Sequence, residues 1–258
     1  MAGKIIGIIS LKGGVGKTTI VANLGSILAA EFNKKTLVVD ANFSAPNLAL
    51  HLGLVNPKVT IHDVLLNKAE IYEAIHQHPA GFHLIPAGYI HKKINPYTLK
   101  KKISYLKDYY DFIFIDSSPN LNEEMLATML ASDELLVVTN PDYPTLSTTL
   151  KAIRVAKQKR TPITGLILNK VRHKKFELSM RDIEDAAQVP VLGILPEDAR
   201  VPESIAYTNP VSLYKPYSDS AIEFKKLAAY LIGEKYDHPG LWSRLKAILR
   251  VKKHRSSD

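Results

Sequence analysis

The stretch that most limits what this chain can fold into is Ser10–Thr19, SLKGGVGKTT. It sits between an apolar run, Ile5 to Ile9, and an Ala/Leu-rich stretch from Ile20 to Ala30. Strand, glycine-rich turn and helix form the context in which such a pattern holds phosphate. Gly13, Gly14 and Gly16, with Val15 among them, let the backbone curl until several N–H groups converge on one anion. The helix that starts near Lys17 brings the positive end of its dipole to the same point. Lys17 can reach the β- and γ-phosphates of a nucleotide, and Thr18, followed by Thr19, can offer a hydroxyl to Mg²⁺. The run is not the ordinary G-x-x-x-x-G-K-[ST]: Leu11 stands at its first glycine, and a lysine, Lys12, comes just before Gly13.

Beyond the loop, short apolar runs alternate with helical patterns. Runs at Thr36–Val39, Phe82–Ile85, Phe112–Ile115, Leu135–Val138, Leu166–Leu168 and Val191–Leu195 read as buried strands. Helices are expected at Ile61–Leu66, Ile71–Ile75, Thr98–Lys107, Glu123–Leu130, Leu146–Gln158, Phe176–Ala187, Val201–Tyr207 and Ala221–Ile232. The fold class that follows is α/β: a doubly wound, mainly parallel sheet with helices on both faces. Residues 1–233 form the globular unit, 234–240 a polar linker broken by Pro239 and Gly240, and 241–258 a basic tail. Polar residues just past the strand ends gather at one sheet edge, where ligands bind in such folds. Asp40 closes one strand and Asp116 closes another, YDFIFID, in the position of a carboxylate that holds Mg²⁺.

Composition removes several alternatives. With no cysteine among 258 residues there are no disulfides and no thiolate metal sites. No apolar run is long enough to span a bilayer, and the short one at the N-terminus leads into the phosphate loop, so a signal peptide is not expected. His76, His78, His83 and His91 lie close in sequence without zinc-ligand spacing, and read as exposed; Tyr105, Tyr109 and Tyr110 read as packing residues. The net charge of +9 is uneven: residues 241–258 hold six Lys and Arg against one Asp, a net of +5. Such a tail points to an anionic partner.

With Lys12 leading, the loop K-G-G-x-G-K-T-T resembles the deviant Walker A of the MinD/ParA family of P-loop ATPases, and the resemblance covers nearly the whole chain. It implies an ATPase using ATP/ADP and Mg²⁺, and a homodimer formed on ATP in which Lys12 reaches the partner's nucleotide. It makes Asp40 the switch I aspartate and Ser117–Asn122 switch II, and places Asn169 against adenine, with Pro196 and Asp198 in the loop that follows. The family reads D-x-D where this chain has Asp40-Ala41-Asn42. An amide can hold water but cannot take a proton readily, so hydrolysis is expected to be slow but not absent. Asn169-Lys170-Val171-Arg172 lacks the aspartate of N-K-x-D, which favours ATP over GTP.

The tail completes the expectation. At 100° per residue Leu241, Trp242, Leu245, Ile248 and Leu249 share an arc of roughly 120°, with Arg244, Lys246 and Arg250 outside it. This is the pattern of an amphipathic helix lying in an anionic membrane surface, and MinD proteins resemble the chain here too. The reading is a MinD-like ATPase, cytoplasmic and peripheral to the inner face of the cell membrane. It would position a machine such as the division site and engage a regulatory or cargo protein. The alternative is a ParA-like ATPase whose basic surface binds DNA nonspecifically.

Overall fold

The computed structural model describes residues 3–89 and 94–236. His91 and the tail residues Leu241, Trp242, Leu245, Ile248 and Leu249 lie outside the described residues. In chain order the elements are β1 (Lys4–Ile9), α1 (Lys17–Ala30), β2 (Thr36–Ala41), α2 (Leu48–His51), α3 (Ile61–Leu65), β3 (His76–Gln77), β4 (His83–Ile85) and α4 (Leu99–Ile103). Then come β5 (Phe112–Ser117), α5 (Glu123–Ala131), β6 (Glu134–Thr139), α6 (Tyr143–Gln158), β7 (Ile163–Val171), α7 (Met180–Ala187), β8 (Val191–Pro196), α8 (Arg200–Ala206), α9 (Val211–Tyr214) and α10 (Asp219–Leu231).

The eight strands form one sheet in the order β3-β4-β2-β5-β1-β6-β7-β8. Every pairing is parallel except β3 with β4. Successive strand residues face opposite sides. Thus Ile6 and Ile8 of β1 join Leu24, Phe82, Phe114 and Phe224 in a core under α1 and α10. Ile5 packs on the other face with Val39, Ile113 and Leu99, and Ile9 packs there with Met125, Val137 and Ile153. Strands buried on both faces read as unbroken apolar runs, which is why the sequence shows them without alternation.

Helix α1 lies close against the sheet at Gly25. A Cβ there would come 2.7 Å from Val38 Cγ1 and 3.6 Å from Phe82 Cδ2.

Several expectations change at element ends. The helix expected from Phe176 starts only at Met180, because Ser179 and Asp182 form a reciprocal capping box there. The preceding loop is instead folded on Glu177, whose carboxylate accepts from the backbone N–H groups of Arg172 and Lys174. Helix α6 starts earlier than Leu146, where Asp142 caps it by accepting from Thr145 N. The Thr98–Lys107 helix is three pieces, with 3₁₀ turns at Pro96–Thr98 and Ser104–Asp108 around α4, and Ile71–Ala74 is likewise a 3₁₀ turn. The histidines are not exposed as expected: His78 is buried and stacked on Phe82, and half-buried His83 lies 2.6 Å from the Tyr110 hydroxyl. Of the three tyrosines only Tyr110 packs; Tyr105 and Tyr109 are exposed. The antiparallel edge strand β3 and the short helix α9 carry no periodic signal of their own and come from tertiary contacts.

Gly25→Leu is expected to lower unfolding free energy by about 1–3 kcal/mol through overpacking against Val38, measured by urea denaturation. An unchanged midpoint would show that α1 can lift off the sheet without penalty.

Candidate nucleotide site

The loops that follow β1, β2, β5, β7 and β8 meet at the C-terminal edge of the parallel strands around a cavity of about 720 Å³. The glycine loop forms its floor. Gly14 and Gly16 have φ of +73° and +101°, backbone values that other residues rarely adopt. Gly16 also has no room for a side chain, since a Cβ would sit 2.2 Å from Asn169 Nδ2. Both constraints are tertiary as well as local. Asn169 Nδ2 donates to the Val15 carbonyl at 2.6 Å, and Lys170 Nζ donates to the Gly14 carbonyl at 2.8 Å. The end of β7 therefore braces the loop from the side.

Asn169 lines the cavity, but its amide is committed: Nδ2 to Val15 and Oδ1 to the backbone N–H of Lys170. Pro196 lines the cavity at the end of β8. Asp198 lines it too, with its carboxylate held by Ser220 Oγ at 2.7 Å and the Arg200 N–H at 2.9 Å. Asp198 thus staples the β8–α8 connection to the first turn of α10. The wall beyond is apolar, built from Leu195, Val201, Pro202, Ile205 and Phe224. These residues were missed in the sequence. In sequence they are ordinary helix and strand positions, and only the packing of α8 and α10 beside β8 turns them into one apolar wall of the cavity.

The charged end is compact. Thr18 Oγ1 lies 2.6 Å from Asp116 Oδ2 and 3.2 Å from Asn47 Oδ1. Asp40 and Asp116 stand opposite each other in the β2–β5 register, both fully buried. Asp40 Oδ1 accepts from Asn42 N, and Oδ2 accepts from Asn47 N and Leu48 N. Asp116 Oδ1 is buried with no hydrogen-bond partner. Burial raises both carboxyls: Asp40 to about 8, with the Asp116 charge adding to it, and Asp116 to about 6, with the Thr18 hydroxyl and Lys17 opposing. Burial also lowers the Lys17 ammonium, against the pull of Asp116. Two adjacent buried carboxylates, one with an orphan oxygen beside a threonine hydroxyl, fit a hard dication that takes oxygen ligands. Thr18 and Asp116 would hold it, with Asp40 on the far side.

Asn42 lines the cavity and donates Nδ2 to the Ala45 carbonyl at 2.6 Å. Lys12 is turned away from its own cavity. Its Nζ lies 2.6 Å from Thr145 Oγ1 and 3.5 Å from Asp142 Oδ1, at the start of α6. The structure thus brings Gly13, Gly14, Gly16, Lys17, Thr18 and Thr19 of the glycine loop together with Asn42, Asn169, Pro196 and Asp198 around one cavity, sets buried Asp116 against Thr18 with Asp40 opposite it in the strand register, and leaves Lys12 on Thr145 of α6.

A family model described as an AAA domain matches residues 3–163. The septum site-determining protein MinD of Synechocystis sp. is 32% identical over 240 residues, covering 90% of each chain. The chain belongs to the MinD/ParA family of P-loop ATPases. An ATP-binding protein of Methanocaldococcus jannaschii is 39% identical over 235 residues, covering 90% of this chain and 89% of its own length. MinD of Pyrococcus horikoshii, solved with Mg-ADP, superposes with a TM-score of 0.84 at 35% identity, over 89% of this chain and 96% of that one.

The raised carboxyls carry a pH signature. A carboxyl whose folded pKa lies above its unfolded value costs stability once the unfolded chain ionises, so the nucleotide-free protein should lose stability as pH rises from about 4 to about 8. Asp116→Asn should flatten that loss in thermal melts, because it removes one of the two repelling charges. The same substitution should cut the Mg²⁺ dependence of ATP binding by about tenfold or more.

Proposed function

We propose that the chain is a Mg²⁺-dependent ATPase that pairs on ATP and acts as a membrane-bound positioning protein. The observation that carries the nucleotide reading is the buried pair Asp40 and Asp116 set against Thr18 and Lys17 at the floor of a glycine loop. That arrangement is electrostatically unsatisfied alone and is completed by a magnesium triphosphate. The loop N–H groups and Lys17 would bind the phosphate oxygens, Thr18 and Asp116 the metal, and the apolar slot of Val201, Pro202, Ile205 and Phe224 the base. Magnesium would supply neutralisation of the charge that builds on the phosphate oxygens. Asn42 would orient the attacking water by donating and accepting; with no carboxylate at that position, turnover is slow.

Pairing rests on Lys12. Within one chain its ammonium is held on the α6 cap by Thr145 and Asp142, at the rim where a second copy would approach. In the pair it would cross to the partner's phosphates. Lys12→Ala is expected to leave the chain monomeric with a non-hydrolysable ATP analogue, read by light scattering, while the parent doubles its mass.

Membrane attachment rests on the tail. Each cation near an anionic surface adds about 1 kcal/mol, and two tails on one pair would gain through effective concentration, about 10²- to 10⁴-fold. Nucleotide state would then decide location. Among the described residues no helix is long and apolar enough to cross a membrane. The partner would be a regulatory or cargo protein.

In sedimentation with anionic liposomes, the full chain should pellet with ATP and stay in solution with ADP, and a version ending at Asp237 should stay in solution with both. Equal pelleting of the shortened version would remove the tail from this role. Co-sedimentation with duplex DNA instead, lost steeply with added salt, would favour the DNA-segregating reading.

A further inference from the structure

The loop from Asn42 to Asn47 is fastened from several directions, and not all the fastenings face the nucleotide. Asp40 takes the N–H groups of Asn42, Asn47 and Leu48, and the Tyr89 hydroxyl donates to the Pro46 carbonyl at 3.1 Å. His62, buried on α3, accepts the Gly88 N–H on Nδ1 at 3.2 Å and meets the Phe43 ring edge-on at 5.6 Å. With Nδ1 accepting, the proton sits on Nε2 and faces the Phe43 carbonyl.

The remaining fastening is of another kind. The Ser44 hydroxyl donates to Glu124 Oε1, across 80 residues of sequence. Glu124 is only 8% exposed, and its other oxygen, Oε2, is buried without a partner. A carboxylate held dry with one oxygen unsatisfied costs stability that a smaller neutral residue would not. Its place explains what that cost serves. Glu124 is in the first turn of α5, two residues after Asn122, which caps the helix by accepting from Met125 N at 3.0 Å and also accepts the Ser118 hydroxyl at 2.9 Å. Ser118 to Asn122 is the loop that follows Asp116. One hydrogen bond therefore joins the loop after β2 to the helix that grows directly out of the loop after β5. Neither Ser44 nor Glu124 lines the cavity.

We propose that Glu124, acting through Ser44, is a positioning residue that makes the two switch loops move as one unit and keeps the Asn42 amide at its place in the cavity. The inference rests on the reading above that this cavity hydrolyses ATP. It matters more here than it would with an aspartate at 42. One of the two Asn42 amide hydrogens is already used on Ala45, so the setting of the whole 42–47 turn decides where the remaining hydrogen and the oxygen point.

The test uses the full chain and Glu124→Ala, Ser44→Ala, the double variant and Glu124→Gln, with two readouts. In single-turnover hydrolysis both Ala variants should be slowed about tenfold with ATP affinity within about twofold of the parent. The double variant should be no slower than either single one. Glu124→Gln, which keeps an acceptor oxygen, should recover most of the rate. In amide hydrogen exchange, ATP should protect residues 43–48 and 118–123 together in the parent, and Glu124→Ala should separate the two. Joint protection persisting in Glu124→Ala, or a lowered melting point with an unchanged rate, would overturn the proposal. A parent that binds ATP but never turns it over would count against the hydrolysis reading alone, and the exchange measurement would still decide the coupling.

Discussion

Two carboxylates forced together in a dry place organise this molecule. Asp40 and Asp116 face each other only because β2 and β5 are parallel neighbours in one register. Parallel strands need helical crossovers, and the crossovers bury both faces of the sheet, so the strand ends lose their water along with the strands. The carboxylates are left in a site that favours protonation until positive charge arrives. Three backbone N–H groups on Asp40 partly answer that need, and in doing so they fold the loop carrying Asn42. The electrostatic problem and the shape of the loop after β2 are one fact seen twice.

The glycine loop is held from outside as much as from within. Its two positive-φ glycines make the curve possible, and Asn169 and Lys170 on β7 clamp the carbonyls of Val15 and Gly14. The clamp crosses more than 150 residues of sequence. On the far side the Asp198–Ser220 staple ties the β8–α8 connection to α10 beside the apolar wall of the cavity. The cavity is thus lined from both halves of the chain, which meet through the sheet, through the β7 clamp on the glycine loop and through α1 packed on α10, where Lys225 pairs with Glu31.

How much was readable in advance differs by the range of the interaction. The Ser10–Thr19 loop, the strand that carries Asp116 and the α/β alternation follow from local patterns, and the structure has them, with that strand running one residue further to Ser117. The helix at Phe176 was misplaced because the capping residues Ser179 and Asp182 outweigh the apolar period before them. The histidines were misjudged because burial of His78 comes from stacking on Phe82, a residue whose own position needs β4 in the sheet. The apolar slot and the Ser44–Glu124 tie left no mark in any window of sequence, since each joins segments that meet only after folding.

The amino-acid sequence by itself determined the kinds of element, the anion-binding loop and the presence of carboxylates at strand ends, because these depend on backbone freedom, side-chain periodicity and charge within about ten residues. Tertiary structure alone decided which carboxylates are neighbours, what Asn169 and Asp198 hold, and where Lys12 rests. Those outcomes depend on strand order and register, which are set by the packing of the whole sheet and its helices and by no single stretch of the chain.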